Sequence, residues 1–338
     1  ANQTLYDSEG MPAFQTLGAP IGAPAQFTYK DDFVRKTDGS TYSKSDFETN
    51  PESPTIVGEQ ANSLGWYYSD GNSSEPYQDA SDYPFSRTIY SKLNPGTPLK
   101  NLGGNKVNGA WPQSYSFTMP ATDELSQTIT SSTVNYSNYK MTKTVTRDVH
   151  GVENVVFVDA DGKTLAAARS GEGSISSYMR LNIGIQGYVD VHVPKGITGI
   201  VVSNSSLVTI YDLITEQSVA TSASSLGNGF YRIAVNNLDT YTPNSIYVDY
   251  KVNYYDHSLN EYDDAGRLIA SYQPLNLLKT EYKYNALGQL IYTKSPDEGE
   301  AWFKYREDGQ IRYSQNSKQK LANEFSYTNY DEFGRPDE

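Results

Sequence analysis

The chain has three histidines, His150, His192 and His257, and no two of them stand at metal-ligand spacing. It has no cysteine, which excludes thiolate zinc sites, disulfides and cysteine nucleophiles. The many serines have no neighbouring His to act as a base, so they read as turn and solvated-face residues rather than nucleophiles. Asp159-Ala160-Asp161-Gly162 superficially suggests a calcium loop, but the ligand run that should precede a sixth-position Gly is missing. Asp263 with Asp264, and Asp297 with Glu298, pair carboxylates as a glycosidase does. Both pairs fall in turn sequence, where hydrogen bonding to the backbone already accounts for them. Trp66-Tyr67-Tyr68 and Trp111 could contact a ligand or cargo, although cross-strand packing is the plainer role. Asn-x-Ser/Thr triplets at Asn2, Asn72, Asn135 and Asn204 match glycosylation acceptors, a match that is frequent by chance. The expectation is a protein with no catalytic residue, no metal site and no cofactor.

The elements that would position such residues are strands. Residues 245–256 alternate, with Ile246, Val248, Tyr250, Val252 and Tyr254 on one face and Tyr247, Asp249, Lys251, Asn253 and Tyr255 on the other. That is the period of two expected of one continuous strand. The 26 glycines and 16 prolines interrupt any longer helical period. Tyrosine supplies 29 positions against 11 phenylalanines, so much of the apolar surface ends in a hydroxyl and suits half-wet sheet faces. The fold class expected is all-β.

A repeat organises these strands. Four units align near the C-terminus: Tyr262-Asp263-Asp264-Ala265-Gly266-Arg267-Leu268, Tyr284-Asn285-Ala286-Leu287-Gly288-Gln289-Leu290, Tyr305-Arg306-Glu307-Asp308-Gly309-Gln310-Ile311 and Tyr330-Asp331-Glu332-Phe333-Gly334-Arg335-Pro336. A fifth opens the chain with Tyr6, Asp7 and Gly10, and degenerate units run from Asp148 to Gly151 and from Asp159 to Gly162. Each reads as a hairpin connection. Asp or Asn at the first turn position accepts hydrogen bonds from the backbone ahead, and Gly at the fourth takes the left-handed conformation that closes a type I turn with a bulge. Arg306 replaces the acceptor in one unit and should weaken it. Flanking aromatics such as Tyr282 with Tyr284, and Phe303 with Tyr305, share a face and should supply cross-strand pairing energy.

On these motifs the sequence resembles the YD-repeat, or RHS, proteins of bacteria. The resemblance is strong over residues 255–338 and the first 20 or so. It is closest to long surface-secreted members exported by a type IX system, on stretches such as Tyr83-Pro84-Phe85-Ser86-Arg87-Thr88 and the segment from Asp308 through Ser317. The resemblance implies hairpins joined edge to edge into a spiralling sheet, a shell that encloses a C-terminal passenger, commonly a toxin. The terminal core segment of the family, with its plug and self-cleaving protease, has no counterpart in this sequence. Because residue 1 is Ala and the sequence stops inside a repeat motif, a processed or partial piece of a longer chain is expected.

Three regions are expected: an N-terminal shell segment with long decorating loops over 1–170, an inserted small β-sandwich over 171–243, and a hairpin array over 244–338. Short strands at residues 188–193, 197–202, 207–214 and 229–235 carry the sandwich reading. A net charge of -13 argues against nucleic acid and against an anionic membrane surface. No apolar run approaches the ~18 residues of a membrane span. The expected function is a non-enzymatic, secreted or surface-located wall segment, partnered by the remainder of its own chain with its passenger and by secretion machinery. The alternative is an adhesin whose sandwich recognises a glycan.

Overall fold

The structure is a computed structural model, described for residues 1–20, 30–75, 78–104, 106, 110–111, 113–121, 124–128, 140–171, 177–274 and 278–337. The triplet at Asn135 and the terminal residue 338 lie outside these. The fold is all-β and almost wholly antiparallel.

Eight strands come first: β1 (Thr4–Tyr6), β2 (Pro12–Thr16), β3 (Phe85–Tyr90), β4 (Pro98–Gly103), β5 (Ser114–Pro120), β6 (Met141–Arg147), β7 (Glu153–Asp159) and β8 (Thr164–Ser170). Each pairs with the next, antiparallel. Regular strands β3, β4 and β5 run within the N-terminal segment expected to carry long decorating loops. Their long connections carry three short helices, α1 (Ser45–Glu48), α2 (Leu64–Tyr67) and α3 (Glu124–Thr128). The 30–70 connection folds back over β2 and β3, stacking Tyr42 on Phe14 at 5.0 Å and Phe47 on it at 5.5 Å. Burial of this aromatic cluster is what offsets the entropy of ordering so long a loop.

Seven strands then leave the large sheet: β9 (Ser177–Asn182), β10 (Tyr188–Val193), β11 (Val201–Val202), β12 (Val208–Asp212), β13 (Gln217–Ser218), β14 (Gly229–Val235) and β15 (Tyr247–Val252). They form a sheet of order β10-β14-β12-β13 facing another of order β11-β15-β9. Alternate residues Val189, Val191, Val193, Ile233, Val248, Tyr250 and Val252 fill the space between.

The chain returns as β16 (Tyr254–Tyr262), β17 (Leu268–Tyr272), β18 (Lys279–Tyr284), β19 (Leu290–Ser295), β20 (Gly299–Tyr305), β21 (Ile311–Asn316) and β22 (Ser326–Tyr327), with helix α4 (Ser317–Ala322) before the last. Because β16 pairs with β8, one open sheet of fifteen strands runs from β1 to β22 past the sandwich. The ends of the excursion meet where the Gly171 amide donates to the Asn253 carbonyl at 3.3 Å. A detour entered and left at one point adds little loop entropy, which grows only with the logarithm of length.

The expected single strand over 245–256 is corrected. Its alternation is intact, but Asn253 separates β15, in the sandwich, from β16, in the large sheet. Strands up to 252 therefore belong to the sandwich, nine residues beyond the expected boundary at 243. Side-chain period is blind to this break because Asn253 is itself buried, and no Gly or Pro marks it.

Candidate functional site

Two assemblies carry the side-chain chemistry of this molecule: a ladder of repeated turns, and the seat on which the sandwich rests.

In the ladder, Gly10, Gly151, Gly162, Gly266, Gly288, Gly309 and Gly334 all take φ between +76° and +87°. At Asp263 the amide donates to the Arg267 carbonyl at 2.9 Å and the Gly266 amide returns to the Asp263 carbonyl at 2.8 Å. The Asp263 Oδ1 accepts from the amides of Ala265 at 3.0 Å and Arg267 at 2.9 Å. The same double acceptance occurs at Asp7, Asp148, Asp159, Asn285 and Asp331. A short side-chain acceptor thus satisfies two turn amides that would otherwise face water. These bonds and the Arg267 guanidinium hold the Asp263 carboxyl below its ordinary pKa, as Arg335 does for Asp331.

The Arg306 turn closes by the same backbone bonds, and there the third-position Asp308 takes over, accepting from the Gln310 amide at 3.1 Å and pairing with Arg306 at 3.0 Å. An eighth turn of this second kind was missed in the sequence: the Lys36 amide donates to Ser40, Gly39 has φ +85°, and Asp38 accepts from the Ser40 amide. Its signal was an Asp immediately before the Gly.

The repeat tyrosine has a role that aromatic pairing did not anticipate. Tyr262 donates its hydroxyl to the Thr164 carbonyl at 3.0 Å, Tyr284 to Leu268 at 3.0 Å, Tyr305 to Leu290 at 2.6 Å and Tyr330 to Ile311 at 2.9 Å. Tyr90 does the same to Pro12 at 3.1 Å. Every acceptor lies two residues beyond the turn glycine of the preceding hairpin in the sheet. The hydroxyl is therefore a rung between neighbouring hairpins, which explains Tyr over Phe at this position. Burial raises the pKa of Tyr90, Tyr262 and Tyr284, keeping these donors protonated. Arg267 stacks over the Tyr284 ring at 5.1 Å, adding a second link to the next unit.

The seat of the sandwich is built from buried carboxylates. Glu124 on α3 accepts from Lys143 of β6 at 2.8 and 3.0 Å, and from the hydroxyls of Tyr250 on β15 and Tyr254 on β16. Burial, followed by the Glu124 charge, drives both tyrosine pKa values well up. Glu153 on β7 accepts from Arg147 at 2.9 Å, Ser170 at 2.7 Å and Asn228 of the sandwich at 2.8 Å, and His192 Nε2 of β10 lies 3.1 Å away. Burial pushes the Glu153 carboxyl up, but the His192 contact and the Asn228 and Ser170 hydrogen bonds outweigh it and hold the pKa at about 2. Burial lowers that of His192, which stacks on Phe230 at 5.0 Å. Glu216, at a positive-φ bend of the sandwich, accepts from Ser91 Oγ at 2.7 Å and from the amides of Lys92 at 2.8 Å and Leu93 at 3.2 Å.

Ser170, Glu153 and His192 come together from distant sequence, yet they do not form a nucleophilic triad. Ser170 donates directly to the carboxylate, leaving no base to take its proton, and the three are 4%, 1% and 0% exposed. The geometry fastens the sandwich to the sheet. His150 sits in an exposed turn, and burial lowers the pKa of half-buried His257. Asp263 and Asp297 occupy turns, as does Asp161.

The aromatics set apart in the sequence pack inward. Tyr67 is buried in the N-terminal cluster, with Trp66 and Tyr68 against it, and Tyr68 donates to the Gly18 carbonyl at 2.7 Å. Trp111 is buried edge-on to Tyr83 at 4.4 Å. Among the described residues no group of three His, Cys, Asp or Glu side chains is arranged to hold a metal, and no helix is long and apolar enough to cross a membrane.

No protein-family model and no curated protein matches the chain. Among solved structures, the crystal structure of TcdB2-TccC3-TEV is similar at 12% identity and a TM-score of 0.25 over 98% of this chain. The match spans 14% of that chain.

Proposed function

We propose that this chain is a non-enzymatic wall segment of a larger secreted repeat protein, acting by steric enclosure of a passenger. The observation that supports this reading is the ladder: hairpin after hairpin is closed by the same turn and tied to its predecessor by a tyrosine rung. Such units stack without limit in one direction and make a broad, edge-poor surface rather than a pocket. The sandwich excursion leaves the pairing of β8 with β16 intact, as a wall requires.

Export to the cell surface, through a type IX system, belongs to the same proposal. The test uses the intact longer protein. Polypeptide following the wall should survive a protease concentration that digests it when expressed alone, and surface-labelling should reach the wall in unbroken cells. Digestion at equal rates in both forms would overturn enclosure.

A further inference from the structure

Where the sandwich meets the large sheet, a cleft of about 520 Å³ opens between the loop after β3, strand β5 and the β10–β14 pair. The cleft has walls from both bodies, so it exists only with the sandwich seated. Its volume falls within the range of small-molecule sites, roughly 300–1,000 Å³.

Asp190 and Arg232 line it, and both are more than nine-tenths buried, at 7% and 8% exposure. They pair bidentately, Nε to Oδ1 at 2.8 Å and Nη2 to Oδ2 at 2.9 Å, so their charges cancel. Nη2 also reaches Asn94 Oδ1 at 2.8 Å, which ties the sandwich to the sheet at this point. Arg232 lies over the Tyr188 ring at 4.0 Å. Desolvated charges held this firmly at a cleft wall present fixed dipoles without net charge. An anion gains little from a guanidinium already neutralised by Asp190, and a cation gains little from that carboxylate.

The remaining polar groups are of mixed sense. Besides the ion pair, the cleft is lined by Asn94, Thr97, Thr118 and Gln186, whose amides and hydroxyls carry both donors and acceptors. Phe117, Pro120 and Tyr188 add apolar surface beside them. A ligand with both donors and acceptors on one edge, an apolar C–H face and no charge matches this set. We infer that the cleft between sandwich and sheet binds a neutral saccharide, its hydroxyls met by the polar groups around the Asp190–Arg232 pair and its C–H face by the apolar wall.

The test is calorimetric titration of the full chain with glucose, galactose, mannose, N-acetylglucosamine and their β-linked disaccharides, with glucuronate as the charged control. At least one neutral sugar should bind with Kd on the order of 1 mM or tighter, insensitive to salt. Replacing two exposed lining residues together, Thr97→Ala with Gln186→Ala, should weaken it roughly tenfold, and Trp302→Ala, on a distant hairpin, should not. Three results would overturn the assignment. One is no heat from any neutral sugar up to about 20 mM; another is unchanged affinity in the double variant. The third is tighter, salt-sensitive binding of glucuronate, which would mark an anion site.

Discussion

The middle of the sheet and its C-terminal hairpins are held together by different physics. Under the sandwich, β5 to β8 bury Phe117, Val145, Val155 and Phe157 against Leu125, Leu213 and Phe230, with the Glu124 and Glu153 clusters sealed among them. Beyond β17 the strands have no such lid. Of the described side chains there, only Tyr292 joins the buried apolar set, and Trp302, Tyr313, Phe325 and Tyr327 remain well exposed. What repeats instead is local geometry: the Asp or Asn turn, the left-handed glycine and the tyrosine rung. A sheet can therefore be stabilised by burial where a second layer exists and by reiterated hydrogen bonding where it does not.

Removing a buried charge should separate the two regions most strongly. Lys143→Ala strands Glu124 without its ammonium, which should cost about 3–5 kcal/mol in urea unfolding. Hydrogen exchange should then accelerate across β5 to β8 and the sandwich while β18 to β21 keep their protection. Equal acceleration in both regions would show that they are one cooperative unit.

Acid should separate the two regions next. The Glu153 pKa is depressed to about 2, so its contribution is fully present above the ordinary carboxylate value near 4.5 and is lost as pH falls toward 2. His192, whose pKa is lowered by burial, acts in the same direction from its ordinary value of 6.5 downward, because the unfolded chain takes up the proton first. Circular dichroism of the seated tyrosines should lose intensity before that of the hairpins. The reverse order would mean that the seat is not the acid-sensitive element.

A smaller effect belongs to the hairpins. A Cβ added at Gly288 meets only the Arg267 guanidinium at 4.0 Å, so the main cost of Gly288→Val should be backbone strain at φ +80°, about 2 kcal/mol, confined to β18 and β19. Smallest is Tyr305→Phe, which removes the bond to the Leu290 carbonyl at 2.6 Å and should cost about 1 kcal/mol. A neutral result there would return the tyrosine to simple packing.

The same division governs what the sequence revealed. Turns spanning four or five residues were legible because their partners are neighbours in the chain, although the replacement of the missing acceptor at Arg306 by Asp308 was not read. Strands Tyr188–Val193 and Gly229–Val235 were legible as short runs bounded by Gly, Asn or Pro. The roles of Asp190, His192 and Arg232 in these strands as the docking face were not legible, because their partners Asn94 and Glu153 lie far away in sequence. Likewise the rung from Tyr90 to Pro12 spans 78 residues, so the hydroxyl that distinguishes Tyr from Phe had no visible target.

A continuous wall requires the sheet to pass unbroken from β8 to β16. Ser258 stands opposite Ala167 across that junction, in line with the exposed Val156 of β7. Antiparallel partners stand roughly 4.5–5.5 Å apart at Cα, within disulfide reach, and the chain has no other cysteine to interfere. With Ala167→Cys and Ser258→Cys together, mild oxidation should give an intramolecular disulfide in nearly every molecule, read by mass spectrometry of the digested chain. Free thiols, or only intermolecular links, would show that the two halves of the wall do not meet there.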